Sequence, residues 1–252
     1  MRGLLGNWQS YRDRLRLRVC EGLSMRSRGE TSFVKFPHVA AALYGALSRT
    51  QSLQRQAHEI AVFIVGEIDG GRVLDIGTGP GRLLVAIHQL NPALELHGLD
   101  ISQSMIELAR ENLANVPVDL RIGGIARTDY ENNFFDLVTC TGSFYLWDDP
   151  KQGLEEIHRI LKPGRRAYLF ETRRDHDKRE FKRALRANLR QEGLVMKLVG
   201  PLLLGKAFEL AYRRDEVEDI LRDTSFSSGH QIEDVTVAGL PVWMRIQLSR
   251  QR

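Results

Sequence analysis

Cysteine is scarce. The chain has two, Cys20 and Cys140, among 252 residues, far apart and with no partner spacing. That excludes a disulfide framework and a cysteine-built metal site, and it fits a reducing compartment. No metal is expected. No apolar run reaches the ~18–20 residues needed to cross a bilayer. A secretory signal is also missing, because the N-terminus holds no apolar core of about 7–15 residues. Neither sign of charge dominates: Lys+Arg 36 against Asp+Glu 32 gives +4, too small an excess to imply nucleic acid. Internal repeats and low-complexity linkers are absent. What remains is a cytoplasmic globular chain, 42% hydrophobic, with enough apolar content for one sizeable domain and small additions.

The first thirty residues stand apart, with seven arginines and three acids. Asp13, Glu21 and Glu30 argue against a transit peptide. Residues 1–30 read as a poorly ordered basic arm, or as an over-extended start with Met25 as the initiator. The folded domain is expected over 31–252.

Within that domain, helices and strands alternate. A helix is expected over 38–66, where Ala40, Leu43, Leu47, Ile60 and Ile64 recur at helical spacing. Strands are expected at 73–76, 94–99, 119–122, 135–141 and 167–171. The helices between them run from about 81 to 90, 102 to 115 and 153 to 161. Asn91-Pro92 ends the first of these, and Lys162-Pro163-Gly164 ends the last. A long helical stretch follows residue 172, then a helix at 217–223 and strands at about 231–237 and 242–248. Such alternation implies right-handed crossovers and a parallel sheet covered on both faces, a doubly wound α/β fold.

The chemistry begins at VLDIGTGPG, residues 73–81. A buried strand runs into Gly77, Gly79 and Gly81. Ligands of such sheets bind beyond the carboxyl ends of the strands, where strand order reverses. A dinucleotide loop would read G-x-G-x-x-G, but here the third glycine comes only four residues after the first. Asp75 would also repel a pyrophosphate, whereas it suits an ammonium. Asp100, twenty-five residues later, ends the second strand where a carboxylate can accept from both hydroxyls of a ribose. An ammonium near one strand and a ribose at the next describe S-adenosylmethionine.

On these residues the chain resembles the class I S-adenosylmethionine-dependent methyltransferases of the small-molecule type, such as the quinone-biosynthesis C-methyltransferases. Residues 73–81 match the family's first motif, and Asp100-Ile101-Ser102 with Ser104-Met105 match its second. FDLVTCTGSFYLW at 135–147 resembles the fourth-strand motif, and EEIHRILKPGR at 155–165 the one before the fifth strand. The resemblance covers 60–172 well. It implies a Rossmann-like seven-stranded, mostly parallel sheet with helices on both faces. It also implies S-adenosyl-L-methionine as cofactor, held by Asp75, Gly77, Thr78, Gly79, Gly81, Asp100, Ile101, Met105, Gly124, Ile125, Thr141 and Gly142. One position departs from the pattern. Gly124 stands where the family's adenine-binding acid is expected, which leaves the backbone of Gly124 and Ile125, or else Asp129, to meet the adenine.

Positioning is the main catalytic requirement, since a sulfonium already makes its methyl electrophilic. Gly142, Ser143 and Tyr145 are pocket candidates, and Tyr145 and Glu171 are the candidate catalytic groups. Glu171 reads equally as a pocket carboxylate or a solvated strand end. Trp147 and Phe144 read as packing residues; His38 and Tyr44, on the N-terminal helix, either reach the mouth of the site or pack as part of its cover. No Asn-Pro-Pro-Tyr-like motif follows the fourth strand, which argues against the amino-group methylation that uses one.

Residues 173–212 are expected to form a helical lid insertion. Phe181, Leu185 and Leu189 share one helical face, and Arg179, Arg183, Arg186 and Arg190 lie on another. The Leu-rich stretch around Pro201 suits the wall of an apolar pocket. The expected partner is a small, partly apolar acceptor, with peripheral membrane contact through the basic face as a further reading. The protein is expected to be a monomer or homodimer. The alternatives are an RNA or protein methyltransferase using the basic arm and lid, and a non-catalytic module that binds the cofactor.

Overall fold

The computed structural model describes residues 50–190, 192–193, 197 and 208–252. The arm at 1–30, His38, Tyr44 and most of the Leu-rich stretch lie outside the described residues.

The elements run in order: α1 (Gln51–Gly66), β1 (Arg72–Ile76), α2 (Arg82–Leu90), β2 (Glu95–Asp100), α3 (Gln103–Asn112), β3 (Val118–Ile122), β4 (Phe135–Thr141), α4 (Pro150–Ile160), β5 (Leu161–Thr172), α5 (Lys178–Arg190), α6 (Arg214–Arg222), β6 (His230–Val237) and β7 (Leu240–Ser249). A 3-10 turn, Phe144–Leu146, follows β4. The seven strands form one sheet in the order β3-β2-β1-β4-β5-β7-β6. β1 to β5 pair in parallel, while β7 runs antiparallel to both β5 and β6. This is the mostly parallel, doubly wound α/β sheet that the alternation of elements implied.

The central strands are buried on both sides, which accounts for their largely apolar sequences. Alternate residues serve two cores. Leu74, Ile76, Val138, Cys140 and Leu169 pack with α4 and α6 on one face. Val73, Leu137, Tyr168 and Phe170 pack with α1 and α2 on the other.

Strand order reverses between β1 and β4, the neighbours at the switch point. Local chemistry fixes the helices that start there. Ser102 caps α3, its hydroxyl accepting from Met105 N at 3.4 Å. Asp149 caps α4, accepting from Gln152 N at 3.0 Å, with Pro150 in the first turn.

One boundary differs from expectation. Lys162-Pro163-Gly164 does not separate helix from strand: β5 already begins at Leu161. Leu161 pairs with Phe135, and the ladder resumes at Arg166 opposite Leu137, so the intervening residues bulge outward. There Lys162 (2.7 Å) and Arg165 (3.3 Å) hold Asp136, which also accepts from Arg72 N at 3.0 Å. This cluster lies at the opposite end of the sheet from the switch point.

Candidate functional site

The carboxyl ends of β1, β2 and β4 open into two adjoining cavities. The first is lined by the glycine loop, by Asp100, Ile101 and Met105, by Gly123 to Ala126 after β3, and by Thr141 to Asp149 after β4. The second is lined by Asp75, Thr78, Pro80, Arg82 and one face of α1. Gly77, Gly79 and Thr141 border both. Two compartments therefore meet along the edge of the glycine loop.

That loop is pinned by the strand beside it. Gly77 N and Thr78 N both donate to Leu99 O, at 2.7 and 3.1 Å. Gly77 has φ +66, and a Cβ there would lie 2.5 Å from Ser143 Cβ, so neither its conformation nor its surroundings admit a side chain. Asp100 ties the loop to the next turn. Its Oδ2 accepts from Gly79 N and its Oδ1 from Ser102 N, both at 2.8 Å. Asp100 is thus not the cap of α3, a role that Ser102 takes. Each of its oxygens keeps a further lone pair for a ligand.

Asp75 lies at the floor of the second compartment, 2% exposed. Burial pushes its carboxyl up to about 7. The opposing wall is α1, where Leu53, Gln56, Ala57 and Ile60 fall at i, i+3, i+4 and i+7 and share one helical face. Helix α1 is anchored from outside. Glu192 accepts from Ser52 N at 2.6 Å, Arg55 donates to Asn188 at 2.7 Å, and Glu59 accepts from Ala238 N at 2.6 Å.

In the first compartment, Ile101 is 44% exposed although it is apolar, while Met105 is buried. Gly124 and Ile125 border the same cavity. A Cβ on Gly124 would meet only Ile101 Cδ1, at 3.8 Å, so packing does not demand glycine there. Asp129 is exposed and lines neither cavity, whereas Asp148 and Asp149 stand at the mouth of the first. Tyr145 lines the cavity, and so does Trp147, which also packs edge-on against the fully buried Phe144 with ring centres 5.0 Å apart.

Glu171 is neither on the wall nor in solvent. It is 1% exposed, and it accepts from Ser143 N at 2.9 Å and Phe144 N at 2.8 Å. It therefore holds the turn after β4 from beneath and touches neither cavity.

Most residues expected at the site gather there: Asp75, Gly77, Thr78, Gly79, Asp100, Ile101, Met105, Gly124, Ile125, Thr141, Gly142 and Tyr145 border a cavity. Gly81 instead starts α2 behind the loop. The face of α1, Trp147 and the Asp148-Asp149 pair were not expected. Their only sequence signals are the helical spacing of Leu53, Ala57 and Ile60 and their closeness to the fourth strand. Of the segment expected as a lid, Lys178–Arg190 is helical, as α5, and none of the segment's described residues borders either cavity. Among the described residues no cluster of His, Cys, Asp and Glu could hold a metal.

Residues 73–164 match a family profile described as a methyltransferase domain. The chain is 32% identical over 154 residues to the ubiquinone/menaquinone biosynthesis C-methyltransferase UbiE of Geobacter sulfurreducens, a match covering 58% of this chain and 60% of that one. The structure resembles an S-adenosylmethionine-dependent methyltransferase from Aquifex aeolicus, with TM-score 0.60, 19% identity, and 85% and 98% of the two chains covered. It also resembles the plantazolicin methyltransferase BpumL, solved with a desmethyl-plantazolicin analogue and S-adenosylhomocysteine, with TM-score 0.63, 17% identity, and 84% and 90% covered. At these identities the two structures speak for the fold. Over residues 73–164 the chain is thus similar to methyltransferase domains, and it shares its fold with solved methyltransferases. It spans about three fifths of the length of the curated relatives it matches.

Proposed function

We propose that this chain binds S-adenosylmethionine along the two compartments and transfers its methyl group to a small, partly apolar acceptor. The observation that carries this reading is the division of the cavity, with a strand acid in each part, Asp100 from β2 in the first and Asp75 from β1 in the second. Asp100, at the end of β2, suits the ribose hydroxyls. The exposed face of Ile101 suits a flat base, with the backbone of Gly124 and Ile125 at its rim. Asp75, buried without a cationic partner among the described residues, suits the ammonium of the methionyl end. The residues present therefore fit the cofactor.

When bound, the cofactor supplies a methyl carbon that is already electrophilic. The chain's own residues orient and shield. The glycine loop and the turn after β4 fix the line of approach, and the α1 face covers the methionyl end against water. Tyr145 is the hydroxyl-bearing side chain we assign to the acceptor side. Leu146 and Trp147 give that side an apolar lining, in keeping with the quinone chemistry named for the UbiE relative. Among the described residues no helix is long and apolar enough to cross a membrane. We place the reaction in the cytoplasm, with α5 as a peripheral contact to an anionic lipid surface.

Titration calorimetry with S-adenosylmethionine, S-adenosylhomocysteine and NAD tests the cofactor. The first two are expected to bind and NAD is not; tight NAD binding would overturn the reading. Asp100→Ala should weaken the cofactor by a few kcal/mol, since it removes charge-assisted bonds worth roughly 1.5–3 kcal/mol each. Labelled S-adenosylmethionine incubated with fractionated cell extract then identifies the acceptor pool, expected among lipids and small molecules rather than RNA or protein.

A further inference from the structure

Glu171 lies near the end of β5, on the same face of the sheet as Leu169 and, across the ladder, Cys140. Its Oε1 accepts from the consecutive amides of Ser143 and Phe144, and Cys140 Sγ approaches at 3.7 Å. Its Oε2 is buried with no hydrogen-bond partner. Among the described residues, no lysine, arginine or histidine forms an ion pair with it. A carboxylate so placed is costly to ionise. Burial pushes its carboxyl up to about 8.

The turn that wraps this carboxylate borders the cavity. Thr141 reaches both compartments, and Ser143 presses directly on Gly77. Glu171 thus lies beneath the seam where the compartments meet. In S-adenosylmethionine the sulfonium stands between the ribose and the amino-acid end. With the ribose at Asp100 and the ammonium at Asp75, the sulfonium comes to that seam.

We propose that Glu171 provides the negative charge that faces the sulfonium through the Gly142–Phe144 turn, so that the chain prefers the cationic methyl donor to its neutral, demethylated product. This rests on the cofactor reading above. In the transfer, the electron pair of the broken S–C bond stays on sulfur, the new bond forms from an electron pair of the acceptor, and the proton that the acceptor gives up passes to solvent. The positive charge leaves the sulfur, Glu171 is again buried without a counter-charge, and release of the thioether is favoured.

The sign of the pH dependence follows. Glu171 is ionised above about 8 and neutral below it. A cation favours the ionised form, so donor affinity rises more steeply than product affinity as pH rises toward that range. The other titratable groups around the seam are Asp75 on β1, Asp100 at the end of β2, Cys140 on β4 and Tyr145 beyond it. On β7 the residue opposite Glu171 is Met244, which carries no charge. Asp75 titrates lower and meets the amino-acid end that donor and product share. Cys140 is held protonated, its thiol raised well above the usual range by burial and by Glu171.

Calorimetry on the full chain at about pH 6.5 and about pH 9 tests this, with S-adenosylmethionine and S-adenosylhomocysteine as probes. In the parent, the preference for the donor should grow about tenfold across that interval, equivalent to one unit of pKa displacement. Glu171→Gln keeps the acceptor oxygen and the size. It should hold product affinity within about threefold while flattening the pH dependence of the preference, a change of about tenfold that only a charge can cause. Asp75→Asn should weaken both ligands and leave the rise intact. A Gln variant that keeps the parental pH dependence would reduce Glu171 to a prop for the turn and overturn the proposal. A second measurement needs no variant: near neutral pH, the buffer dependence of the heat should show more proton release on binding the donor than on binding the product, which shares only the amino-acid end at Asp75. Equal proton exchange for both ligands would also overturn it. If the parent binds neither ligand, the cofactor reading itself falls.

Discussion

At Gly77 a hydrogen atom is all that the structure admits, and its neighbour Gly142 shows why that matters. Both have positive φ, +66 and +65, but a Cβ on Gly142 would meet nothing within 4 Å. Gly142→Ala should therefore cost only the left-handed backbone term, about 1–2 kcal/mol of stability. Gly77→Ala carries the same term and also drives Ser143 off its seat, where its hydroxyl meets Ile76 O at 3.2 Å. The expected result is a loss of cofactor affinity of at least about tenfold for Gly77→Ala and little for Gly142→Ala, read by calorimetry beside thermal melts. The glycine spacing pointed to Gly77, the chemistry of the first two strands pointed to Asp75 and Asp100, and Gly142 came from the resemblance to the fourth-strand motif. The sequence left Glu171 balanced between wall and solvent. Its role depends on two amides nearly thirty residues earlier, which no spacing rule brings together. Asp100 holds a further lesson. Its two backbone bonds mean that Asp100→Ala loosens the glycine loop as well as the ribose contact, so Asp100→Asn is the cleaner comparison.

Helix α5 illustrates what periodicity can and cannot say about an element. Its amphipathic character was legible, and Phe181 does turn toward the core, its ring 5.0 Å from that of Phe208. Its destination was not legible. The helix lies beside β7 and α1, where Asn188 donates to Ala238 O at 2.9 Å, and not over the cavity. Lys178, Arg179, Lys182, Arg183, Arg186 and Arg190 fall along one arc of this helix and form no ion pair with another described residue. Replacing Arg179, Arg183, Arg186 and Arg190 together by Gln should leave the melting temperature and cofactor affinity unchanged. The same variant should lose roughly a hundredfold or more in binding to anionic vesicles, at about 1 kcal/mol per cation near a charged bilayer. Unchanged vesicle binding would mean that the stripe is only solvated. Elsewhere the missed details are of one kind. β5 begins earlier than its sequence suggests, because a bulge lets Pro163 and Gly164 ride outside the ladder. A sequence window sees the breakers but not the partner strand that resumes beyond them.

In the molecule as a whole, the two ends of the sheet carry separate duties. One end holds Asp136 between Lys162 and Arg165, and its carboxyl stays below the usual range in spite of burial. That contribution to stability is present above the unfolded value and fades only as acid carries the pH through the folded one. The other end holds acids whose carboxyls burial raises and which, among the described residues, form no ion pair. The number and alternation of strands were legible from the chain; the β5-β7-β6 order was not, since antiparallel partners leave no mark in composition. That order has a consequence during synthesis. β7 leaves the ribosome after the six other strands of this sheet, yet it is an inner strand, with β5 on one side and β6 on the other. Until Leu240–Ser249 emerges, β5 presents an open edge, and β6 has nothing to pair with. Ribosome-stalled chains ending before residue 240 should stay protease-sensitive and be captured by chaperones, whereas chains with all of β7 outside the exit tunnel should become resistant in a single step. Resistance gained before β7 appears would show that the five parallel strands fold alone. Otherwise the nascent chain passes its most aggregation-prone moment just before β7 slots into place.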